Sequence, residues 1–280
     1  MIHVVMYSGG IGSWATAARV KERMAPGDRL VLLFADVKGA SAADNPHIGE
    51  DEDTYRFIDQ TAAQLEAELV RVADGRTIWE VFRDKRFLGN ARLANCSHLL
   101  KQAPARKWLE ENTTPDDSAV YVGIDWTETH RVPAIEKAYL PWRCSAPMAE
   151  APYVSKADMV DALRAEGIEP PRAYALGFPH NNCGGGCVRA GQAQFRKLLQ
   201  VMPARYAEWE RQEAALREHL GKDVAILRDR RGGSSRPLTL TEFRDANTDD
   251  EDTLDFGGCG CFVTFDSDIN HAVPTKEEVQ

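Results

Sequence analysis

The sequence predicts an α/β fold, and three observations carry that prediction. Ile2–Met6 is a short apolar run. It leads through Tyr7-Ser8-Gly9-Gly10-Ile11-Gly12-Ser13 into Trp14, Ala17, Ala18 and Val20 at helical spacing, which reads as strand, glycine-rich turn and helix. A second apolar run, Leu30–Ala35, ends at Asp36, and an amphipathic pattern follows it after a polar stretch. Tyr121-Val122-Gly123-Ile124 has the look of a further buried strand, with a charged segment directly behind it.

The first turn is the most informative element. Its glycines let backbone approach a ligand with no Cβ in the way. The helix behind it offers unpaired N–H groups and the positive end of its dipole, which suits phosphate. Gly9, Gly10 and Gly12 form the approach surface, and Ser8 and Ser13 add hydroxyl donors. The turn is neither a Walker A loop, which ends in Gly-Lys-Ser/Thr, nor a G-x-G-x-x-G dinucleotide turn. A purely structural turn is the alternative.

The chain has 280 residues, which suits one large domain or one domain with an appendage. Its net charge of −9 argues against a broad non-specific nucleic-acid surface and leaves room for a local basic patch. No apolar run approaches the ~20 residues of a membrane span. The N-terminus enters a strand directly, without a signal-peptide layout. A cytoplasmic location with no membrane partner is therefore expected. In that reducing compartment, six cysteines arranged as two close pairs and two singles fit a metal site better than a disulfide framework.

Asp36 stands at the carboxyl end of its strand, where open α/β sheets bind ligands. Its carboxylate can hold Mg²⁺ or a ribose hydroxyl, with a helix cap or loop charge as the equal alternative. Residues 37–50 read as a polar loop able to order over substrate. Asp51–Leu69 reads as an amphipathic helix with Tyr55, Ile58, Ala62, Leu65 and Leu69 on one face. A helix is also expected over Leu99–Glu111, whose Lys101, Arg106 and Lys107 either meet polyphosphate or face solvent. Glu128, His130 and Arg131 follow a strand end and so point into the expected cleft. Arg131 can clamp a phosphate or carboxylate, Glu128 can ligate metal or orient Arg131, and His130 is an acid–base candidate.

Tyr153–Glu166 reads as a helix capped at Ser155 and ended by Gly167 and Pro170-Pro171. In Pro179-His180-Asn181-Asn182-Cys183-Gly184-Gly185-Gly186-Cys187-Val188, two thiols separated by three glycines can bend around one centre, and glycine leaves room for cluster sulfides or a metal. A helix expected from Val188 places Cys187 at a helix N-terminus, which favours thiolate. Two unligated cysteines in a flexible turn are the alternative. Pro203–Leu220 reads as a charged amphipathic helix, with Pro203 in its first turn and Gly221 at its end. Arg228–Pro237 is a basic glycine–serine loop, read as a solvated linker in preference to a nucleic-acid contact. A second glycine-wrapped pair, Cys259 and Cys261, follows an acidic stretch. Cys96, Cys183, Cys187 and one of Cys259 or Cys261 make four thiolates, enough for a [4Fe-4S] cluster or a structural zinc. Cys144 is the outsider. The organisation expected is a nucleotide-binding α/β domain over residues 1–145, a cysteine-rich helical and loop extension over 146–265, and a disordered tail over 266–280.

Ser8-Gly9-Gly10-Ile11-Gly12-Ser13 resembles the pyrophosphate-binding loop of the adenine nucleotide alpha-hydrolase superfamily, the PP-loop ATP pyrophosphatases. Many members read Ser-Gly-Gly-Lys-Asp-Ser, and Ile11-Gly12 stands here in place of Lys-Asp. Further blocks are similar to the phosphoadenosine phosphosulfate (PAPS) reductase branch. Phe34-Ala35-Asp36 matches its aspartate after strand two, and Asp53-Thr54-Tyr55-Arg56-Phe57 its acidic D-T-Y-x-F helix. Cys96-Ser97-His98-Leu99-Leu100-Lys101 with Pro104 matches its C-(T/S)-x-x-L-K-x-x-P segment, and Gly123 through Glu128 to Arg131 its G-x-x-x-x-E-x-x-R signature.

The resemblance covers roughly residues 1–220 and implies a doubly wound, mostly parallel sheet with a cysteine-bearing C-terminal extension. It implies an enzyme that binds ATP with Mg²⁺, adenylates a carbonyl oxygen on a nucleobase or nucleic acid, and lets a nucleophile displace AMP. That nucleophile includes sulfur delivered through a cysteine-bound [4Fe-4S] cluster. In this picture Ser8, Gly9, Gly10, Gly12 and Ser13 hold phosphate, Asp36 serves metal or ribose, and Lys101, Glu128 and Arg131 serve the transition state. Cys96, Cys183, Cys187 and Cys259 are the cluster ligands implied. In adenylyl-sulfate reductases the first block has adjacent cysteines and the second pair is spaced by two residues; here Cys96 stands alone and the spacing is three. A second implied function is sulfonucleotide reduction with Cys261 or Cys259 as nucleophile, although Gly258 stands where that family has Glu. A third reading is a nucleotide-binding regulator with structural zinc. A sulfur-donor protein, a thiol reductant and a second copy of the chain in a homodimer are the protein partners these readings allow.

Overall fold

The computed structural model describes residues 1–246, apart from 91, 92, 231, 232 and 234. Five parallel strands form the main sheet: β1 (Ile2–Met6), β2 (Arg29–Asp36), β3 (Glu68–Ala73), β4 (Ser118–Val122) and β5 (Arg143–Ser145). Their order is β3-β2-β1-β4-β5, so β1 is central, with Met6 level with Leu33 on one side and Val122 on the other. The chain leaves β1 towards β2 and later returns to add β4 on the opposite side. That reversal opens a crevice at the carboxyl ends of β1 and β4.

Both faces of the sheet are covered, which is why its strands read as unbroken apolar runs. Successive side chains alternate between faces. Val5, Tyr7, Leu30, Leu32 and Phe34 pack under α1 (Ile11–Arg23), α2 (Glu52–Gln64) and α7 (Lys156–Ala165). Val4, Met6, Val31, Leu33 and Ala35 pack under α5 (Ala103–Asn112) and α6 (Val132–Tyr139). A further core forms away from the sheet. It joins α3 (Ile78–Asp84) to α9 (Gln192–Val201), α10 (Pro203–Leu220) and α11 (Leu240–Asp245). Short helices α4 (Asn95–Ser97) and α8 (Arg172–Ala175) complete the set. Met148, Met159, Leu163 and Ile168 share a core with β1 and α1, so the segment after residue 145 builds the same body as the sheet.

Several expectations need correction. The second long helix ends at Gln64, and Leu69 lies in edge strand β3. Leu65 and Leu69 are one helical turn apart in sequence, but Glu66 takes a positive φ of 48° and breaks the helix between them. The expected helix at Val188 starts at Gln192 instead, with Gly191 as N-cap, so Cys187 is not at a helix N-terminus. Arg228–Pro237 is not a plain linker. β6 (Leu227–Asp229) and β7 (Arg236–Leu238) pair antiparallel there. Buried Glu213 of α10 accepts the N–H groups of Ile226 and Leu240 at 2.9 and 2.7 Å, tying the hairpin and α11 down. Pro203–Leu220 forms as expected, closed by Gly221 at φ 61°. Among the described residues no helix is long and apolar enough to cross a membrane.

Candidate functional site

The turn after β1 is built by close packing. Gly9 has φ 72°, and a Cβ there would stand 2.6 Å from Thr54 Cγ2, so glycine is required on both counts. Gly10 is the N-cap of α1, with no side-chain cap and no acidic residue in the first turn. Ser13 Oγ donates to the Gly10 carbonyl at 2.8 Å and sits 3.4 Å from Ser8 Oγ. The Ile11 N–H donates to the Tyr174 hydroxyl at 3.2 Å. At the end of β4, Gly123 passes so close to α1 that a Cβ would lie 3.1 Å from Ser13 N. The strand end and the helix start thus form one wall.

Between them lies an open cleft. Ser8, Gly10, Gly12 and Ser13 line it from the turn, and Asp125, Glu128 and Arg131 from the segment after β4. Lys156, Tyr174, His180, Asn181 and Asn182 close the far side. Asp125 Oδ1 accepts the N–H and hydroxyl of Thr127 at 2.9 and 2.5 Å, capping the 3₁₀ turn that carries Glu128 and Arg131. Glu128 and Arg131 form an ion pair within that turn. Burial pushes the His180 pKa below the imidazole value, and Lys156 adds to the effect. His180 is therefore a neutral imidazole at neutral pH, able to accept a proton.

Asn181 ties this wall to the phosphate turn. Its Nδ2 donates to the Gly9 carbonyl at 2.8 Å and to Thr54 Oγ1 at 3.0 Å. Asn181, His180, Lys156 and Tyr174 were not singled out from the sequence. The available signal is position: His180 and Asn181 stand three and two residues before Cys183.

Ser8, Gly10, Gly12, Ser13, Glu128 and Arg131 come together at the cleft, with Gly9 behind them. Three other candidates stand apart. Asp36 Oδ1 accepts the Tyr55 hydroxyl at 2.7 Å and the Lys38 N–H at 2.9 Å, and Asp36 does not line the cleft. Lys101 is buried, donates to Glu50 Oε1 at 3.0 Å, and does not line it either. His130 is exposed, off the lining.

The cysteine loop shows why its glycines are there. Cys183, Gly184 and Gly185 all have positive φ (50°, 57° and 87°). A Cβ on Gly184 would meet the Arg205 guanidinium at 2.2 Å, one on Gly185 Phe178 at 2.9 Å, and one on Gly186 the Trp209 ring at 2.5 Å. The space beside these glycines is filled by side chains. Trp209 Nε1 and Arg205 Nε, beside this loop, are buried without a hydrogen-bond partner among the described residues. Cys96 and Cys187 border the same core. Cys144 lies in β5, where burial pushes its thiol up to about 12. Among the described residues no three His, Cys, Asp or Glu side chains gather as a metal would require. The described thiols therefore do not by themselves make a cluster or zinc site. Cys259 and Cys261, and the expected tail, lie outside the described residues. For Mg²⁺ the chemistry fits better: Asp125 and Glu128 line the cleft, and Mg²⁺ beside phosphates takes one or two carboxylates.

No protein-family model matches the chain, and no curated protein matches it. Solved structures similar in fold include the PAPS reductase of Candida auris in a phosphate complex, at 16% identity over 62% of this chain and 78% of that one, TM-score 0.41. They also include the U34-tRNA thiolase NcsA of Methanococcus maripaludis with its [4Fe-4S] cluster, at 12% identity over 77% and 72%, TM-score 0.41. A third is the NH₃-dependent NAD synthetase of Campylobacter jejuni with nitrate, at 12% identity over 79% and 84%, TM-score 0.37. At these identities and scores each is a likeness in fold and no more. With its β3-β2-β1-β4-β5 parallel sheet, flanking helices and Ser8-Gly9-Gly10 turn at the head of the central strand, this chain has the α/β fold class that the sequence resemblance implies.

Proposed function

We propose that the cleft binds ATP and transfers its adenylyl group to a carbonyl oxygen of an acceptor. Pyrophosphate leaves, and a nucleophile then displaces AMP. The observation that carries this reading is the N-terminus of α1, whose N-cap Gly10 supplies no side-chain cap, opening into the same cleft as Arg131 and Lys156, at the point where the sheet reverses direction. Backbone N–H groups and two cations are what a polyphosphate needs. The turn holds the phosphates, and Arg131, oriented by Glu128, meets the charge that develops on the leaving pyrophosphate. Mg²⁺ on Asp125 or Glu128 would neutralise phosphate charge. His180, neutral by burial, accepts the proton of the incoming nucleophile. Sulfur as that nucleophile would be carried on Cys183, which directly follows cleft-lining Asn182, as a persulfide loaded by a sulfur-donor protein; its outer sulfur would displace AMP, and a thiol reductant would cleave the resulting disulfide. Iron–sulfur or zinc ligation there needs ligands beyond the described residues, and metal, iron and sulfide quantitation on the full chain measures it.

The test is conversion of ATP to AMP and pyrophosphate by the full chain, followed by radiolabelled pyrophosphate exchange. Turnover lost in Arg131→Ala and retained in a surface variant supports the proposal. A chain that binds ATP and never releases pyrophosphate with any acceptor refutes it. That outcome favours a non-catalytic nucleotide-binding protein, a reading that has its own observation: Ile11-Gly12 occupies the turn, and the Tyr174 hydroxyl already takes the Ile11 N–H. Sulfite release from a sulfonucleotide would instead identify the reductase reading, with Cys261 as nucleophile.

A further inference from the structure

Four large apolar side chains are strongly exposed among the described residues: Met1, Trp126, Leu140 and Tyr153. Two of these touch each other. The Trp126 and Tyr153 ring centroids are 5.7 Å apart, with 43° between the planes, and the residues are 45% and 63% exposed. Asp125 and Glu128 flank Trp126 in sequence, Lys156 follows Tyr153 by three residues, and all three line the cleft. Neither ring lines the cleft itself, but the aromatic pair is carried by the two segments whose neighbouring residues do. Neither ring belongs to one of the three cores, so packing does not account for them.

A solvent-facing aromatic surface beside a cation is the arrangement that takes a flat π system carrying phosphate. The chain's net charge of −9 gives no general attraction for nucleic acid, so recognition must come from local stacking with a few cations such as Lys156. Nucleobases that carry an exocyclic carbonyl also carry the oxygen that adenylation requires. We infer that Trp126 and Tyr153 form the stacking platform for the acceptor, an unpaired base of a single-stranded nucleic acid, and present it to the cleft. What happens to the base rests on the adenylation reading; its binding to the platform does not.

The experiment measures two affinities in the full-length protein: a short fluorescent single-stranded RNA, and its DNA counterpart, by anisotropy, and ATP by calorimetry. Trp126→Ala and Tyr153→Ala should each weaken oligonucleotide binding about tenfold, the usual loss of a stacking side chain, with ATP affinity unchanged. Trp126→Phe keeps a π face and should retain most of the affinity. A preference for the RNA or the DNA strand tells which sugar the acceptor carries. Two outcomes overturn the inference outright: wild-type protein that binds neither strand, and alanine variants that bind as wild type does. A parallel fall in ATP affinity also overturns it, because the platform would then hold the adenine of ATP. Oligonucleotide binding that needs the two rings in a protein that binds no ATP supports the platform and removes the adenylation reading alone.

Discussion

Replacing Lys101 by Met separates two roles for that side chain. The sequence resemblance makes it a phosphate ligand; the structure buries it, 4% exposed, against Glu50, which is 1% exposed. Two unit charges 3.0 Å apart attract by about 5.5 kcal/mol at an effective dielectric near 20. Desolvation of both groups offsets most of that attraction. Removing one partner, however, leaves the other charged and buried, at about 3–5 kcal/mol. Glu50 Oε2 already has no hydrogen-bond partner among the described residues, so little is at hand to compensate. Lys101→Met should therefore lower the melting temperature by about 6–20 °C. The double variant with Glu50→Gln should recover most of the loss. Urea and thermal denaturation of the single and double variants, with pyrophosphate release measured on the folded fraction, make the assay. A single variant within about 1 kcal/mol of wild-type stability but without turnover would refute the structural role and restore the catalytic one.

Three further outcomes are expected. Arg131→Ala should cut pyrophosphate release by about 10²–10³-fold, the usual loss of one charge-stabilising group, with an unchanged denaturation midpoint; a coupled loss of stability would make its pair with Glu128 structural. Gly186→Ala places a Cβ 2.5 Å from the buried Trp209 ring and should cost about 1–3 kcal/mol by overpacking, read as a lower urea midpoint; wild-type stability would show that this loop yields. The His180 pKa lies below 6.5 in the folded state, so between those values the unfolded chain binds more protons. Stability present above about pH 6.5 is lost as the pH falls towards the folded-state pKa. His180→Gln should flatten that part of the profile of urea midpoint against pH, and an unchanged slope would assign it to other groups.

The sheet was legible because buried parallel strands announce themselves as apolar runs: Ile2–Met6 is matched to the residue, and Leu30–Ala35 lies within Arg29–Asp36. Edge strand β3 was not, because its half-exposed Glu68–Ala73 carries too little apolar contrast to interrupt the helical spacing of Leu65 and Leu69. Ser8, Ser13, Glu128 and Arg131 could be brought to one cleft from sequence because each follows a strand end, and strand ends of such a sheet share an edge. Asp36 follows a strand end too, yet Tyr55 one helix later takes its carboxylate, a contact set by packing that no local pattern encodes. Lys156 and His180 come from loops and helix starts well over a hundred residues from the turn they face, where only the folded chain places them. The Cys-Gly-Gly-Gly-Cys spacing suggested room for an inorganic centre; the glycines are instead explained by Arg205, Phe178 and Trp209 lying against them.

The Asn181 amide grips the Gly9 carbonyl two residues before Cys183. One side chain thus fastens the turn that would meet phosphate to the loop that bears two thiols. Thermodynamics makes such a fastening a two-way street. Whatever free energy a change at Cys183, whether oxidation, alkylation or ligation, adds to or takes from nucleotide binding by shifting Asn181, nucleotide returns in equal measure to that change. The thiol loop would sense an occupied cleft, and the cleft would sense the state of Cys183, with no moving domain between them.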